Sequence, residues 1–211
     1  MDWEGIVERE AARYADGEAR LDPEQLVRLG NAAYGAGLAL LMLGRRDEAS
    51  AWLTKSAERW RESWEYATPT SWGRPTGVIK AHLLAGSAEA AQDAAAWTLT
   101  LGCIDSESPI GRYAATLALL TLGRFEDARH QADPLRERDD FPRDVADALA
   151  TIAGDELVDY VEAVESVVAS FERRDEYLED VPVADTALVL QALAVRRGID
   201  VPLPPSVVLP G

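Results

Sequence analysis

The sequence LALLMLGRRDEA at residues 38–49 returns 79 positions later, at residues 117–128, as LALLTLGRFEDA. Eight of the twelve positions are identical, and two more exchange Asp for Glu. A weaker copy, HLLAGSAEAA at residues 82–91, lies between them and places its glycine 42 residues after Gly44 and 37 before Gly123. Spacings near 40 residues with a glycine at each turn are typical of stacked helical hairpins. The repeat therefore predicts an all-α solenoid.

Length and composition favour one helical domain over residues 1–211. Ala and aliphatic residues are abundant, and the period-two alternation of half-buried strands is almost absent. No run of eighteen apolar residues occurs, and the start MDWEGIVERE carries acids where a signal peptide carries bases. We therefore expect a soluble cytoplasmic protein without a membrane partner. The single Cys103 excludes an internal disulfide and a cysteine-based zinc site, and no cofactor is expected.

The net charge of −16 is the second informative property. It repels nucleic acid and anionic membrane surfaces, and no compensating basic patch occurs, so neither is an expected partner. Only Lys55 and Lys80 are lysines, and the remaining basic residues are arginines. The excess of acids and the scarcity of lysine have two possible explanations. One is the acidic proteome of a halophile, in which salt screens the repulsion between carboxylates, and the other is a set of GC-rich codons that favour Arg and Ala. The size of the acid excess favours the halophile.

Capping signals divide the chain into hairpins. Asp-Pro at residues 22–23 and Ser-Pro at residues 108–109 each place a capping side chain before a proline at the first helical position. Gly44 and Gly123 follow Leu-rich last turns, where a glycine takes the left-handed conformation. The tail VPLPPSVVLPG is too rich in proline for a helix, and its apolar residues predict that it lies extended along the helices. The predicted units are hairpins at about 22–66, 75–101 and 108–138, C-terminal helices at about 142–197, and a tail at 198–211.

The segment LGRFEDA at residues 122–128 resembles the hinge of a tetratricopeptide-type repeat. In that family the first helix ends in Leu-Gly and the second begins with acids before a small Ala. The segment GRRDEA at residues 44–49 is similar, and Gly37 falls where the family places a small residue for close helix contact. The resemblance covers roughly residues 30–140. It implies right-handed packing of paired helices, and it identifies no binding residue.

The last third of the chain has a second resemblance. The segment DEYLEDVPVADTALVLQALAVRRGIDVPL at residues 175–203, followed by VVLP, resembles the C-terminal end of some helical immunity proteins of toxin systems. Those proteins end in an Ala-rich helix, an Arg-Gly turn and an extended Leu-Pro tail. This resemblance implies a role in neutralising a protein partner.

Catalytic motifs are absent from the sequence. None of GxSxG, GxGxxG, GxxxxGK[ST] or HExxH occurs. His82 stands where the other copies have Leu40 and Leu119, which favours a core position over a catalytic base. The acids at residues 155–165 have helical spacing and the chemistry to hold a divalent cation, but a solvated face is the simpler explanation. We therefore expect no enzyme, and no catalytic, cofactor or metal residues.

Two loops form the main candidate site. TSWGRPTG at residues 70–77 and DSESPIGRY at residues 105–113 each precede the first helix of a hairpin, so in a solenoid they emerge on the same edge. Each brings an arginine to a helix N-terminus, which favours an anion. The alternative is that each arginine pairs with a local acid such as Glu107. The candidate loop edge consists of Trp72, Arg74, Ser106, Ser108 and Arg112.

An aromatic face is the second candidate. Trp60 and Trp64 lie on one stripe of the predicted helix at about 46–66, either in the core or along an exposed groove. From all these patterns we expect a noncatalytic interaction scaffold or adaptor, with immunity as one form of that role. The partner would be another protein or peptide, and the sequence does not indicate the oligomeric state. The alternative is a small-anion binder or enzyme that uses the loop edge around Arg74 and Arg112.

Overall fold

A computed structural model describes residues 1–19 and 22–211 of the chain. Within these ranges the protein forms ten α-helices and no β-strand, so the predicted all-α class is confirmed. The helices are α1 (Trp3–Glu18), α2 (Pro23–Met42), α3 (Arg46–Ser63), α4 (Gly73–Leu84), α5 (Ala88–Thr100), α6 (Pro109–Thr121), α7 (Phe125–Ala132), α8 (Arg143–Gly154), α9 (Leu157–Glu172) and α10 (Asp185–Arg197). None of the helices in these ranges has the length and apolar run that crossing a bilayer requires.

The repeated sequence forms one repeated hinge. Gly44, Gly86 and Gly123 have φ of +71°, +72° and +72°, the left-handed conformation that glycine adopts without a steric penalty. In the first hinge the amide of Gly44 donates to the Leu41 carbonyl, and the next amide donates to the carbonyl five residues before it. The same two hydrogen bonds recur at the other two glycines. The prediction that Gly44 and Gly123 take the left-handed conformation is therefore confirmed, and Gly86 in the weaker copy takes it too.

Each helix from α1 to α9 packs against the next one along the chain, and α4 also contacts α6. The last helix, α10, contacts α9 and also returns to helices that come earlier in the chain. It packs against α4, α6, α8 and α9, so its buried residues Leu190 and Leu193 belong to the same apolar core as those helices. This packing places the start of α10 beside α4, where the candidate site described below lies.

The C-terminal tail lies along α9 and α10. Its residues Val208 and Leu209 are buried, and the Val208 carbonyl accepts a hydrogen bond of 2.8 Å from the amide of Ala184. The Gln191 side-chain amide donates to the Val201 carbonyl at 2.6 Å. These contacts hold the beginning of the tail against the middle of α10 and its end against the residue that precedes α10.

Candidate functional site beside Lys80

A pocket of about 420 Å³ opens where α2, α3 and α4 meet the start of α10, and we call it the Lys80 pocket. Its wall combines aromatic, hydroxyl, amide and charged side chains from these four helices and from two connecting segments. The lining residues are Val27, Asn31, Tyr34, Trp60, Ser71, Gly73, Arg74, Thr76, Gly77, Lys80, Leu178 and Asp185.

The Trp60 indole forms one wall, and two glycines make room for it. A Cβ atom at Gly30 would lie 2.5 Å from Trp60 Cδ1, and one at Gly77 would lie 2.6 Å from Trp60 Cε3. A side chain at Gly30 or at Gly77 would therefore displace the indole ring. Trp60 Nε1 donates to Asn31 Oδ1 at 3.1 Å, and the ring centroid lies 5.0 Å from that of Tyr34. The indole is thus fixed in position before any ligand arrives.

An ion pair lies at the base of the pocket. Lys80 Nζ lies 2.6 Å from Asp185 Oδ2, and the two side chains are only 14 % and 15 % exposed. The Tyr34 hydroxyl donates to the same carboxylate at 2.8 Å, and Lys80 also donates to Thr186 Oγ1 at 3.2 Å. Each buried charge therefore has a charged and a polar partner, as a buried pair requires.

These contacts keep both charges ionised across the neutral pH range. Burial alone would raise the pKa of Asp185, but the Lys80 ammonium and the Tyr34 hydroxyl outweigh it and the pKa falls below its ordinary value. Burial opposes the charge of Lys80 in the same way, yet the Asp185 carboxylate raises its pKa. Burial, together with Asp185, also raises the pKa of Tyr34 well above its ordinary value.

One hydroxyl at the pocket has no partner. Thr76 is 7 % exposed, and its Oγ1 forms no hydrogen bond with any residue that the structure describes. The other buried threonines of the helices differ, since Thr98 and Thr121 donate to the backbone carbonyls of Ala94 and Leu117 at 2.8 and 2.7 Å. An unpaired buried polar group costs about 1–3 kcal/mol, so the fold keeps the Thr76 hydroxyl beside the pocket at a cost to stability.

The rim of the pocket includes a strained segment between α9 and α10. Leu178 is 48 % exposed at the rim, and the next two residues, Glu179 and Asp180, both have φ of +54°. Arginines of α1 hold this segment: Arg9 donates to the Glu179 carbonyl at 2.7 Å, and Arg13 pairs with the Glu179 carboxylate. Such conformations cost of order 1–3 kcal/mol each and persist only where neighbouring contacts impose them.

The structure divides the predicted loop edge. Arg74 lines the Lys80 pocket and its guanidinium donates to the Ser63 carbonyl. Arg112 is not among the lining residues, and its nearest polar partner is Gln131 Oε1 at 3.5 Å. Neither arginine forms an ion pair with a described residue, so the alternative of a local acid such as Glu107 is not what the structure contains.

The remaining members of the loop edge meet at Gly111. A Cβ atom there would lie 2.1 Å from Ser106 Oγ and 2.9 Å from Trp72 Nε1, so the two loops do adjoin. Trp72 is only 6 % exposed, however, and packs beneath the loops instead of at their surface. Ser108 accepts a hydrogen bond of 3.0 Å from the amide of Gly111, the N-terminal cap that the Ser-Pro pair predicts.

The two tryptophans of the predicted aromatic face have different surroundings. Trp60 is 7 % exposed and lines the Lys80 pocket. Trp64 instead stacks with Trp72 at 5.6 Å and meets Trp97 edge-on at 6.3 Å, outside that pocket. Within the described residues, the aromatic side chains therefore form separate clusters and not one continuous groove.

Sequence reasoning missed Lys80 and Asp185 as a site. Both are single charges inside apolar runs, GVIKAHLL at residues 77–84 and VPVADTALVL at residues 181–190, in a chain whose acids and arginines otherwise cluster. Lys80 is also one of only two lysines. An isolated charge in an apolar run is a signal for a buried, paired group. The local sequence contains no sign that the two residues meet.

The other reactive groups lie elsewhere. Burial raises the pKa of the Cys103 thiol to about 11, so the nucleophilic thiolate is scarce at neutral pH. The described residues hold no group of three or more His, Cys, Asp or Glu side chains placed to bind a metal ion. No protein-family model, curated protein or solved structure matches the chain.

Proposed function

We propose that the protein is a noncatalytic interaction scaffold, built as a tetratricopeptide-like array of right-handed helical hairpins, whose Lys80 pocket receives a side chain of a polypeptide partner. The consecutive packing of α1 to α9 and the three equivalent glycine hinges support such an array. A toxin domain is the partner that the resemblance to immunity proteins would imply.

The Thr76 hydroxyl carries this proposal. A buried hydroxyl without a partner lowers stability, whereas a valine of the same shape would not. The cost is offset when a partner atom accepts or donates a hydrogen bond there. The open rim at Gly73 and Leu178 admits a side chain of another protein to the pocket, and Thr76 Oγ1, which is buried in the structure, becomes reachable when the side chains around it move.

The charges of the pocket specify the inserted group. The lining contains Arg74, Lys80 and Asp185, so it has an excess of one positive charge in a protein of net charge −16. The Asp185 carboxylate is already paired with Lys80 and Tyr34. The pocket therefore favours a carboxylate or carboxamide side chain, while the acidic surface as a whole attracts a basic partner.

The shifted pKa values support binding over catalysis. A general acid or base works best with a pKa near the operating pH. The contacts of the pocket move the pKa of Asp185 down and those of Lys80 and Tyr34 up, away from neutrality in every case. His82, whose pKa is lowered by burial, does not line this pocket.

A small-anion binder is the second candidate, because Arg74 and Lys80 line the same cavity. Titration with inorganic phosphate and with acetate, followed by intrinsic tryptophan fluorescence beside a Trp60→Phe variant, tests it. Saturable binding of either ion that is lost in Arg74→Gln would favour this function over a polypeptide partner.

The principal test selects a ligand from a phage-displayed library of random linear peptides. We expect selected peptides to carry Asp, Glu, Asn or Gln as their shared residue. Gly73→Phe should abolish their binding, because a Cβ at Gly73 meets no atom within 4 Å and the ring can extend over the mouth without disturbing the fold. Thr76→Val should weaken binding by about 2- to 12-fold, the value of one neutral hydrogen bond.

Thr98→Val is the matched control, since Thr98 is a buried threonine outside the pocket. It should bind the peptides as the wild type does. The proposal is wrong if the library yields no binder, or if Gly73→Phe binds the selected peptides with wild-type affinity.

A further inference from the structure

A second cavity, of about 440 Å³, lies at the other end of the contact between α4 and α10. It is enclosed by the α2–α3 hinge, the α4–α5 hinge and the later turns of α10, and we call it the Arg46 pocket. Ligand sites are commonly cavities of about 300–1,000 Å³ with an apolar wall and few polar groups. The cavity belongs to neither predicted site, and it shares no lining residue with the Lys80 pocket.

The charge of the Arg46 pocket is opposite to that of the protein. Its lining includes Arg46, Arg196 and His82 but no Asp or Glu, although the chain has 37 acids among 211 residues. Arg46 is exposed and forms no ion pair with a described residue. The adjacent Arg45, by contrast, pairs with Glu48 and with Glu4. A cation without a carboxylate partner therefore stands at the rim of this cavity.

The floor of the Arg46 pocket is apolar. Leu41 and Leu83 form its base, and Val195 of α10 leaves an apolar edge that is 47 % exposed. Between this floor and the rim lies the first turn of α5. The capping residue Ser87 forms no side-chain cap there, so amide groups of that turn stay open to an anion beside Arg46.

One lining residue of the Arg46 pocket has an unpaired polar atom. His82 Nδ1 is buried and has no hydrogen-bond partner among the described residues. Burial, followed by the charge of Arg61, lowers the pKa of His82, which favours the neutral imidazole with one donor and one acceptor nitrogen. An apolar floor and a cationic rim together complement a molecule with an aliphatic body and an anionic end.

We infer that the Arg46 pocket binds a medium-chain aliphatic carboxylate, with the chain along Leu83 and Val195 and the carboxylate between Arg46 and the first turn of α5. A carboxylate at this point gains a charge-assisted hydrogen bond, while each methylene leaves water for the apolar floor. The ligand is a free small molecule, and the protein carries it independently of any polypeptide at the Lys80 pocket.

Isothermal titration calorimetry with hexanoate, octanoate, octanol and octylamine tests this inference on the full chain. Octanoate should bind one to one and roughly 15-fold more tightly than hexanoate, because two further methylenes are buried. Octanol and octylamine should bind at least tenfold more weakly than octanoate. Equal affinities for octanoate and octanol, or no saturable binding of octanoate, would overturn the assignment.

Two variants locate the ligand. Arg46→Gln should lower the affinity for octanoate about tenfold. Arg28 is an exposed arginine outside this cavity, and Arg28→Gln, which makes the same change of charge, should leave that affinity unchanged. Ala88→Trp, at an exposed lining position, should obstruct the mouth and abolish binding. Equal effects of the two arginine variants would show a general charge effect and would contradict the site.

Discussion

The two pockets beside α4 and α10 use the same helices for opposite chemistry. At the Lys80 pocket Lys80 and Asp185 lie at the base and pair with each other, and the aromatic wall stands above them. At the Arg46 pocket the apolar residues form the floor and the charges stay at the rim, in water. Buried charges need partners, whereas exposed cations remain available to a ligand. The first pocket is therefore built around an internal ion pair, and the second around an open rim.

Breaking the ion pair should have the largest effect. Lys80→Met leaves the Asp185 carboxylate buried beside Tyr34 without its cation, which should cost about 3–5 kcal/mol of the free energy of unfolding. The double variant Lys80→Met/Asp185→Leu should recover most of that loss, because an apolar pair needs no compensation. Urea denaturation at neutral pH measures both. Asp93→Asn, in an exposed ion pair with Arg61, is the control and should cost less than about 1 kcal/mol.

The pH dependence of stability sharpens the same point. The pKa of Asp185 is lowered in the folded state. Its contribution to stability is therefore fully present above the ordinary carboxyl pKa of 3.8 and is lost as the pH falls through the pKa of the folded state. Since the pKa of Lys80 is raised, its contribution is complete below 10.5 and is lost as the pH rises through the folded value. The double variant should lack both losses when unfolding is measured from pH 2 to 12.

The hinge at the Arg46 pocket should show the next largest effect. Gly86 has φ of +72°, and a Cβ atom there would meet no atom within 4 Å, so a substitution is opposed by backbone strain alone. Gly86→Val should cost about 1–3 kcal/mol, measured by thermal denaturation. Gly86→Asn should cost less, because Asn adopts the left-handed conformation more readily. Equal stability of Gly86→Val and the wild type would refute the hinge assignment.

The two arginines of the loop edge should differ in how much they contribute to peptide binding. Arg74→Ala should weaken the peptides selected on the Lys80 pocket by about 1–2 kcal/mol, whereas Arg112→Ala should leave their affinity unchanged. Each variant should lose less than about 1 kcal/mol of stability, since exposed or half-buried surface arginines contribute little. Fluorescence titration measures the affinities, and Trp60 is the appropriate reporter because Trp72 is buried away from the pocket. If both variants weaken peptide binding equally, Arg74 and Arg112 belong to one binding site, as the sequence predicts, and the division described above is wrong.

More of the fold than of the candidate site could be predicted from the sequence. A helix cap or a glycine hinge depends on residues within five positions of each other, so Ser108, Gly44 and Gly123 are readable from the chain itself. Lys80 and Asp185 are 105 residues apart, and only the packing of α10 against α4 brings them together. The spacing of the loops correctly predicts that they adjoin, but only Arg74 lines the Lys80 pocket and Arg112 does not.

The central claim is that the Thr76 hydroxyl is kept for a partner at the expense of stability. Thr76→Val removes a buried hydroxyl that has no hydrogen bond, so it should raise the free energy of unfolding by about 1 kcal/mol. Thr98→Val removes a hydroxyl that donates to the Ala94 carbonyl, and it should be neutral or destabilising by about 1 kcal/mol. Urea denaturation of the two variants beside the wild type makes the comparison. A Thr76→Val protein that is less stable than the wild type would contradict the account.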